Sequence, residues 1–313
     1  MNSSTLVQLL VAGVIFGTPM VFASMGEILA EKSGVLNIGI EGLLLVGAVA
    51  AFWGARETNS VFLAIVIAIV AASLLALLHA FAVVTLGVNQ ILLGLGIVIF
   101  GGGISSYIAA SGNDPLAGKR AVVVLNPIVE DGMADWPFVG PVLLGHNALV
   151  YLSWLSVIAT TIYLQWTRSG LVVRAVGSDP ASADAVGINV GRVRYVHVVL
   201  GGVGAGLGGA YYALVLVPAW QDGLTAGAGW IVLAIVIVSQ WQPWRALLAA
   251  VLFGAATRLG FVLQLKGIDI PTEFLGMIPF IGAGLAVVTT KAFQHGIGNE
   301  PESLGLPYDR EYR

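Results

Sequence analysis

Cysteine is absent from the 313 residues, which excludes disulfides, thiolate metal sites and cysteine nucleophiles. Charge is nearly as scarce. Asp, Glu, Lys and Arg make up 10% of the chain, against about 25% in an ordinary soluble domain. A chain with so little polar surface cannot cover itself in water. The net charge of −3 is small and excludes a nucleic-acid partner. No Walker A, GxSxG or HExxH pattern occurs, and the four histidines have no ligand partner at helical spacing. No catalytic residue, metal site or cofactor is expected.

What is present is apolar sequence in long runs. Apolar residues reach 58%, and the mean hydropathy is +0.92. Stretches 61–86 and 88–110 contain no Asp, Glu, Lys or Arg. About 20 apolar helical residues cross a bilayer, and this pattern repeats. The expected fold is an all-α, polytopic membrane helix bundle in the lipid bilayer. Nine candidate spans are read: 6–25, 38–55, 61–86, 88–110, 148–165, 195–217, 226–240, 246–263 and 274–290. Stretch 38–55 follows a glycine-rich turn and carries Glu41, and 226–240 is short. These two are the candidates for broken or re-entrant segments, which need burial in protein or a water-lined cavity. The first run lacks a preceding basic stretch and a cleavage site, and reads as a retained span.

Loop charge orients the bundle. Placing Arg168, Arg174, Arg192, Arg194, Lys32, Arg245, Lys291, Arg310 and Arg313 in the cytoplasm gathers nine of the 14 basic residues there. The N-terminus then lies outside and the C-terminus inside. The expected division is a transmembrane domain over 1–291 and a cytoplasmic tail over 292–313. An extracytoplasmic loop, 111–147, carries Asp114, Glu130, Asp131 and Asp135. It reads as a cap over the bundle, with a docking surface for an external partner as the sharper alternative. The 41 glycines, dense over 201–209, read first as close helix packing and second as a sliding surface.

In the inside loop 166–194, Ser178 or Asp179 can cap a helix with Pro180 in its first turn. A short helix over 181–186 is expected, ended by Gly187. Asn37 and Glu41 are spaced for one helix face, and Asn89 and Gln90 open the next long run but one. Their two readings are the lining of a path for a neutral hydroxylated solute, and hydrogen bonding between helices or from Glu41 to Lys32 or a backbone amide. Trp230, Trp241 and Trp244 read as packing or interface aromatics.

Two segments carry a resemblance. One runs from Gly26 through Glu27, Glu31, Lys32, Gly34, Asn37 and Gly39 to Glu41-Gly42. The other runs from Arg168 through Arg174, Gly177, Asp179-Pro180 and Ala183 to Gly187, Asn189 and Arg194-Tyr195. Together they resemble membrane permease subunits of ATP-binding cassette (ABC) importers for sugars and branched-chain amino acids, with the nucleoside and simple-sugar permeases most similar. Asn89-Gln90, 227–236, Trp241-Gln242-Pro243 and the ending 301–308 fit as well. The resemblance implies a permease rather than an enzyme. It implies cytoplasmic ABC ATPase subunits as partners, a second permease subunit (identical or paralogous) and an extracytoplasmic solute-binding protein. It also implies that Arg174, Gly177, Asp179, Pro180, Ala183, Asp184 and Gly187 form the coupling element that meets the ATPase. An ion-coupled transporter or channel is the alternative of another class.

Overall fold

The computed structural model describes residues 3–111, 115–116, 118–119, 125–128, 136, 138–217, 219–265 and 300–308, with scattered positions within 274–288. The expected span 274–290 lies partly, and acidic residues Asp114, Glu130, Asp131 and Asp135 lie wholly, outside the described residues.

Among the described residues, ten α-helices have defined bounds: α1 Ser3–Lys32, α2 Ile40–Thr58, α3 Val61–Ala80, α4 Gln90–Ala110, α5 Ala148–Trp166, α6 Arg168–Ser178, α7 Pro180–Ala185, α8 Val190–Tyr211, α9 Ala228–Val238 and α10 Pro243–Leu265. Single π-turns extend α3 over Phe81–Thr85 and α8 over Tyr212–Leu216. Another π-turn, Gly140–Leu144, precedes α5. Among the described residues, five helical stretches are long and apolar enough to cross a membrane: Leu6–Lys32, Val61–Thr85, Gln90–Ala110, Ala148–Trp166 and Val190–Leu216. The protein is an all-helical, multi-pass membrane protein.

Its core is built on residue size rather than on polarity. On α3, Ala64, Ala68, Ala72, Ala76 and Ala80 recur every four residues and are buried. The opposite face carries exposed Phe62, Val66, Val70, Leu74 and Leu78. In lipid both faces are apolar, so packing falls to the small residues that let backbones approach. Helix α8 applies the same rule on several sides. A Cβ placed at Gly204 would lie 2.5 Å from the Phe22 carbonyl oxygen on α1. At Gly206 it would lie 2.7 Å from Ile69 Cα on α3, and at Gly209 2.4 Å from the Leu44 carbonyl oxygen on α2. Helices α1, α2 and α3 therefore pack around α8, and α10 packs on α1 through Gly254, Gly13 and Gly17. Several buried hydroxyls bond within their own helices, as Thr18 does to the Val14 carbonyl (2.7 Å) and Ser24 to the Val21 carbonyl (3.0 Å).

Two helices differ from the sequence expectations, and a third is as short as the reading of 226–240 has it. Helix α1 runs on to Lys32, two turns past the expected end at residue 25, because no proline occurs over 26–33 and the chain first takes left-handed backbone at Gly34. Gly34 takes φ +91°, which reverses the chain. Helix α2 is unbroken for 19 residues and buried along most of its length. Of its three charged residues, Glu41 in the first turn is buried, whereas Arg56 is half-buried and Glu57 exposed in the last turn. Helix α9 has 11 residues, about 17 Å, and so falls well short of a bilayer core by itself.

Candidate functional site

Two regions gather the polar side chains. The first lies at the junction of α1, α2, α4 and α9. After Gly34 the chain turns back alongside α1 in a non-helical segment, so that the Asn37 N–H donates to Glu27 Oε1 at 3.1 Å. Glu27 stands five residues before the end of α1, about 7 Å along its axis. Extended backbone here needs partners that helix geometry does not supply. Side chains from three helices supply them. Gln90 Oε1 of α4 accepts from the Leu36 N–H at 2.7 Å. His79 Nε2 of α3 donates to the Leu36 carbonyl at 3.3 Å. Glu27 of α1 takes the Asn37 N–H. Asn37 Oδ1 accepts from the Gly39 N–H at 3.1 Å, an Asx turn that leads into α2.

Glu41 follows in the first turn of α2 and is 6% exposed. Its carboxyl accepts from Thr225 Oγ1 (2.6 Å), the Gly227 N–H (3.0 Å) and the Gly229 N–H (2.6 Å). The acceptor thus sits on the N-terminus of α9, where unsatisfied N–H groups and the helix dipole favour it. Ala226 (φ +49°) and Gly227 (φ +82°) both take left-handed backbone to form that turn. Nearby, Trp241 Nε1 donates to the Glu31 carboxyl, and Lys32 Nζ lies 5.8 Å from the centre of the Trp241 ring.

The four residues read as path-lining therefore go to different places. Asn37 lies in the turn before α2, so it and Glu41 do not share a helix face, because Gly39 rather than an earlier residue caps α2. Asn37, Glu41 and Gln90 are buried, while Asn89 is exposed and caps α4 through Oδ1 to the Ile91 and Leu92 N–H groups. Glu41 bonds to backbone amides and, through the same bonds, joins α2 to α9. Glu27, Glu31 and His79 were not singled out as partners from the sequence. The signal for the two glutamates was their four-residue spacing on a helix that continues to Lys32, hidden by placing those residues in a loop. For His79 it was a lone polar group within the run 61–86.

The second region is the α6–α7 element. Asp179 caps α7: its Oδ1 accepts from the Ala181 and Ser182 N–H groups at 3.1 Å each, and its second oxygen accepts from the Ser182 hydroxyl. The Ser182 hydroxyl first, then the two N–H groups, hold this carboxyl below the usual aspartate range. Pro180 occupies the first helical position. Gly187 takes φ +89° just past the end. The expected short helix is thus present, one residue earlier than read. Arg174, Asp179 and Gly187 are exposed, and Ala183 seats α7 against Val176 and Val190. Gly177 is buried, and a Cβ there would lie 2.2 Å from the Lys32 carbonyl oxygen, so α6 closes directly onto the end of α1. A groove of about 660 Å³ opens beside α7, bounded by the α3–α4 turn Thr85-Leu86-Gly87, by Gly187-Ile188-Asn189 and by Tyr308. Among the described residues no group of three or more His, Cys, Asp or Glu side chains is placed to hold a metal ion.

A multi-pass bundle with a mid-bundle half-helix and an exposed capped helix at one end has the parts of a membrane transport subunit. Residues 9–281 match the family described as branched-chain amino acid transport system / permease component, and the chain belongs to that family. It is 35% identical over 247 residues to a putative glucose ABC transporter permease protein of Haloferax volcanii, covering 79% of this chain and 74% of the relative. It is 29% identical to the guanosine ABC transporter permease protein of Bacillus subtilis, over 95% of both chains. It is 30% identical to the nucleoside ABC transporter permease protein of Lactococcus lactis, over 90% of this chain and 92% of the relative. No solved structure matches it. The resemblance drawn from the two sequence segments agrees with these findings.

Proposed function

We propose that the chain is one of two membrane subunits of an ABC importer that carries a nucleoside or a simple sugar across the inner membrane, driven by separate cytoplasmic ATPase subunits. The substrate reading is supported by the relatives named for guanosine, nucleosides and glucose. In this reading nine segments cross or enter the bilayer within the transmembrane domain 1–291. They are the five long apolar helices, α2, α9, α10 and the segment 274–290. The α7 end lies in the cytoplasm with Lys32, Arg168, Arg174, Arg192 and Arg245, and residues 292–313 form the tail on the same side. The loop 111–147 faces outward, toward a solute-binding protein. The second permease subunit is identical or paralogous.

The observation that carries the reading is the exposed, fixed-end helix α7. Asp179 and Pro180 set its start, Gly187 its end, and Ala183 seats it against Val176 and Val190. In the transport cycle the ATPase pair closes on ATP and pushes α7. Arg174, Gly177, Asp179, Pro180, Ala183, Asp184 and Gly187 form the element that receives the push. Gly177 passes it to the end of α1. Asn37, Glu41, Asn89 and Gln90 border the solute path by fixing the backbone around it. Glu41 holds the α9 turn, and Asn37 and Gln90 hold the segment that enters α2.

The test is co-purification. The ATPase is expected to co-purify with this chain and to be lost when residues 179–187 are replaced by a Gly/Ser linker. Normal assembly and normal ATPase stimulation with the linker in place would refute the coupling assignment.

A further inference from the structure

Resting on the proposed coupling role of α7, we infer that the C-terminal segment 300–308 is a tie bar that locks α7 to the ends of α1 and α8, so that a push on α7 moves the bundle. A six-residue helix seated by one alanine has little hold of its own. The segment supplies the hold at both ends.

At one end, Ser303 is 5% exposed and lies under the α6–α7 junction. Its N–H and its hydroxyl both donate to the Gly177 carbonyl, at 3.0 and 2.8 Å. The Gly305 N–H donates to the Gly34 carbonyl at 3.3 Å, which joins the segment to the reversal after α1. Gly34 has no room for a side chain there: a Cβ would lie 2.6 Å from Ser303 Oγ. Arg194, 2% exposed in the second turn of α8, spans the junction. Its Nε donates to the Ser33 carbonyl (3.3 Å), one terminal nitrogen to the Leu306 carbonyl (3.3 Å) and the other to Ser303 Oγ (3.5 Å). A planar, five-donor guanidinium suits this role, because it fixes three strands of chain at once.

At the other end, Tyr308 reaches α7 itself. Its hydroxyl donates to Asp184 Oδ2 at 3.0 Å, and its ring packs with the Val176, Ala183 and Val190 cluster that seats the helix. Tyr308 thus holds α7 from the tail side, and Arg194 holds the tail to α8 and to the end of α1. The segment is neither a loose tail nor the surface the ATPase would meet. Tyr308, Ser303 and Arg194 are positioning residues, acting through α7.

The test uses the assembled transporter, this chain with its ATPase, carrying Tyr308→Phe or Ser303→Ala. ATPase co-purification is expected to stay at the level of the unaltered chain. Amide exchange across 180–188 is expected to rise about fivefold, the effect of one lost hydrogen bond. ATP-driven uptake of labelled guanosine or glucose, per ATP hydrolysed, is expected to fall by a similar factor. Either change without the other, or neither in both variants, overturns the tie. Loss of ATPase co-purification in the variants also overturns it, since the segment would then be a docking surface. Failure of the unaltered chain to bind any ATPase instead counts against the proposed function, and exchange across 180–188 in the chain alone then decides whether the tie exists.

Discussion

The Glu41 carboxyl accepts the Gly229 N–H at 2.6 Å, joining the first turn of α2 to the first turn of α9 across 188 positions of sequence. Two further donors, Thr225 Oγ1 and the Gly227 N–H, complete it. Replacement by alanine leaves three donors around a buried site without their acceptor, each costing about 1–3 kcal/mol. E41A is therefore expected to lower the heat-aggregation midpoint of the purified chain and to abolish uptake, and E41Q to lower both less. An unchanged midpoint in E41A would show that the carboxyl does not hold α9.

The same junction leaves no volume at two glycines. A Cβ at Gly229 would lie 2.5 Å from Glu41 Cα, and one at Gly42 would lie 2.2 Å from the Ile97 carbonyl oxygen. Both neighbours are backbone, so a helix has to move. G42A and G229A are each expected to destabilise by about 1–3 kcal/mol, whereas G96A, which meets nothing within 4 Å, is expected to be neutral. Thermal midpoints of the three variants side by side check this.

Gln90→Leu keeps most of the volume but removes the acceptor for the half-buried Leu36 N–H. The expected loss is about 1–3 kcal/mol, with faster amide exchange confined to the 35–39 segment. Asn89→Ala removes only an exposed helix cap and is expected to cost about 1 kcal/mol. A larger effect at Asn89 than at Gln90 would contradict the division of roles.

The Asp179 cap has a signed pH dependence. Its folded-state affinity for a proton is lowered, so its contribution is present above the ordinary aspartate value of about 4 and is lost as pH falls through the lower folded value. Amide exchange across 180–186, corrected for its intrinsic pH dependence, is expected to report a constant α7 stability between about pH 5 and pH 8. D179A is expected to raise it several-fold throughout, and D179N, which keeps an acceptor for the two N–H groups, much less.

Much of this protein is legible from local chemistry. The α7 helix follows from Asp179, Pro180 and Gly187 within nine residues of sequence, and Asn89 marks the start of α4. The long helices α3, α4 and α5 follow from uninterrupted apolar length. The α1–α2 junction is not legible in that way. Glu27, Glu31 and Lys32 look like loop residues because charge is read as an exit from lipid, yet Trp241, Asn37 and the facing helices enclose the two glutamates, and Lys32 is half-buried. The partners of Glu41 are 184 to 188 positions away, beyond any periodic signal. Amphipathic pattern fails as a guide on α3, where both faces are apolar and only side-chain size separates inside from outside.

The central claim is that a separate ATPase drives solute through this chain. The direct measurement is uptake of labelled guanosine and glucose into proteoliposomes holding this chain, its partner permease and its ATPase, with solute-binding protein supplied. The account predicts uptake that requires ATP and the ATPase, and that disappears when 179–187 becomes a Gly/Ser linker. Uptake by this chain alone, driven by an ion gradient and indifferent to that replacement, would contradict it.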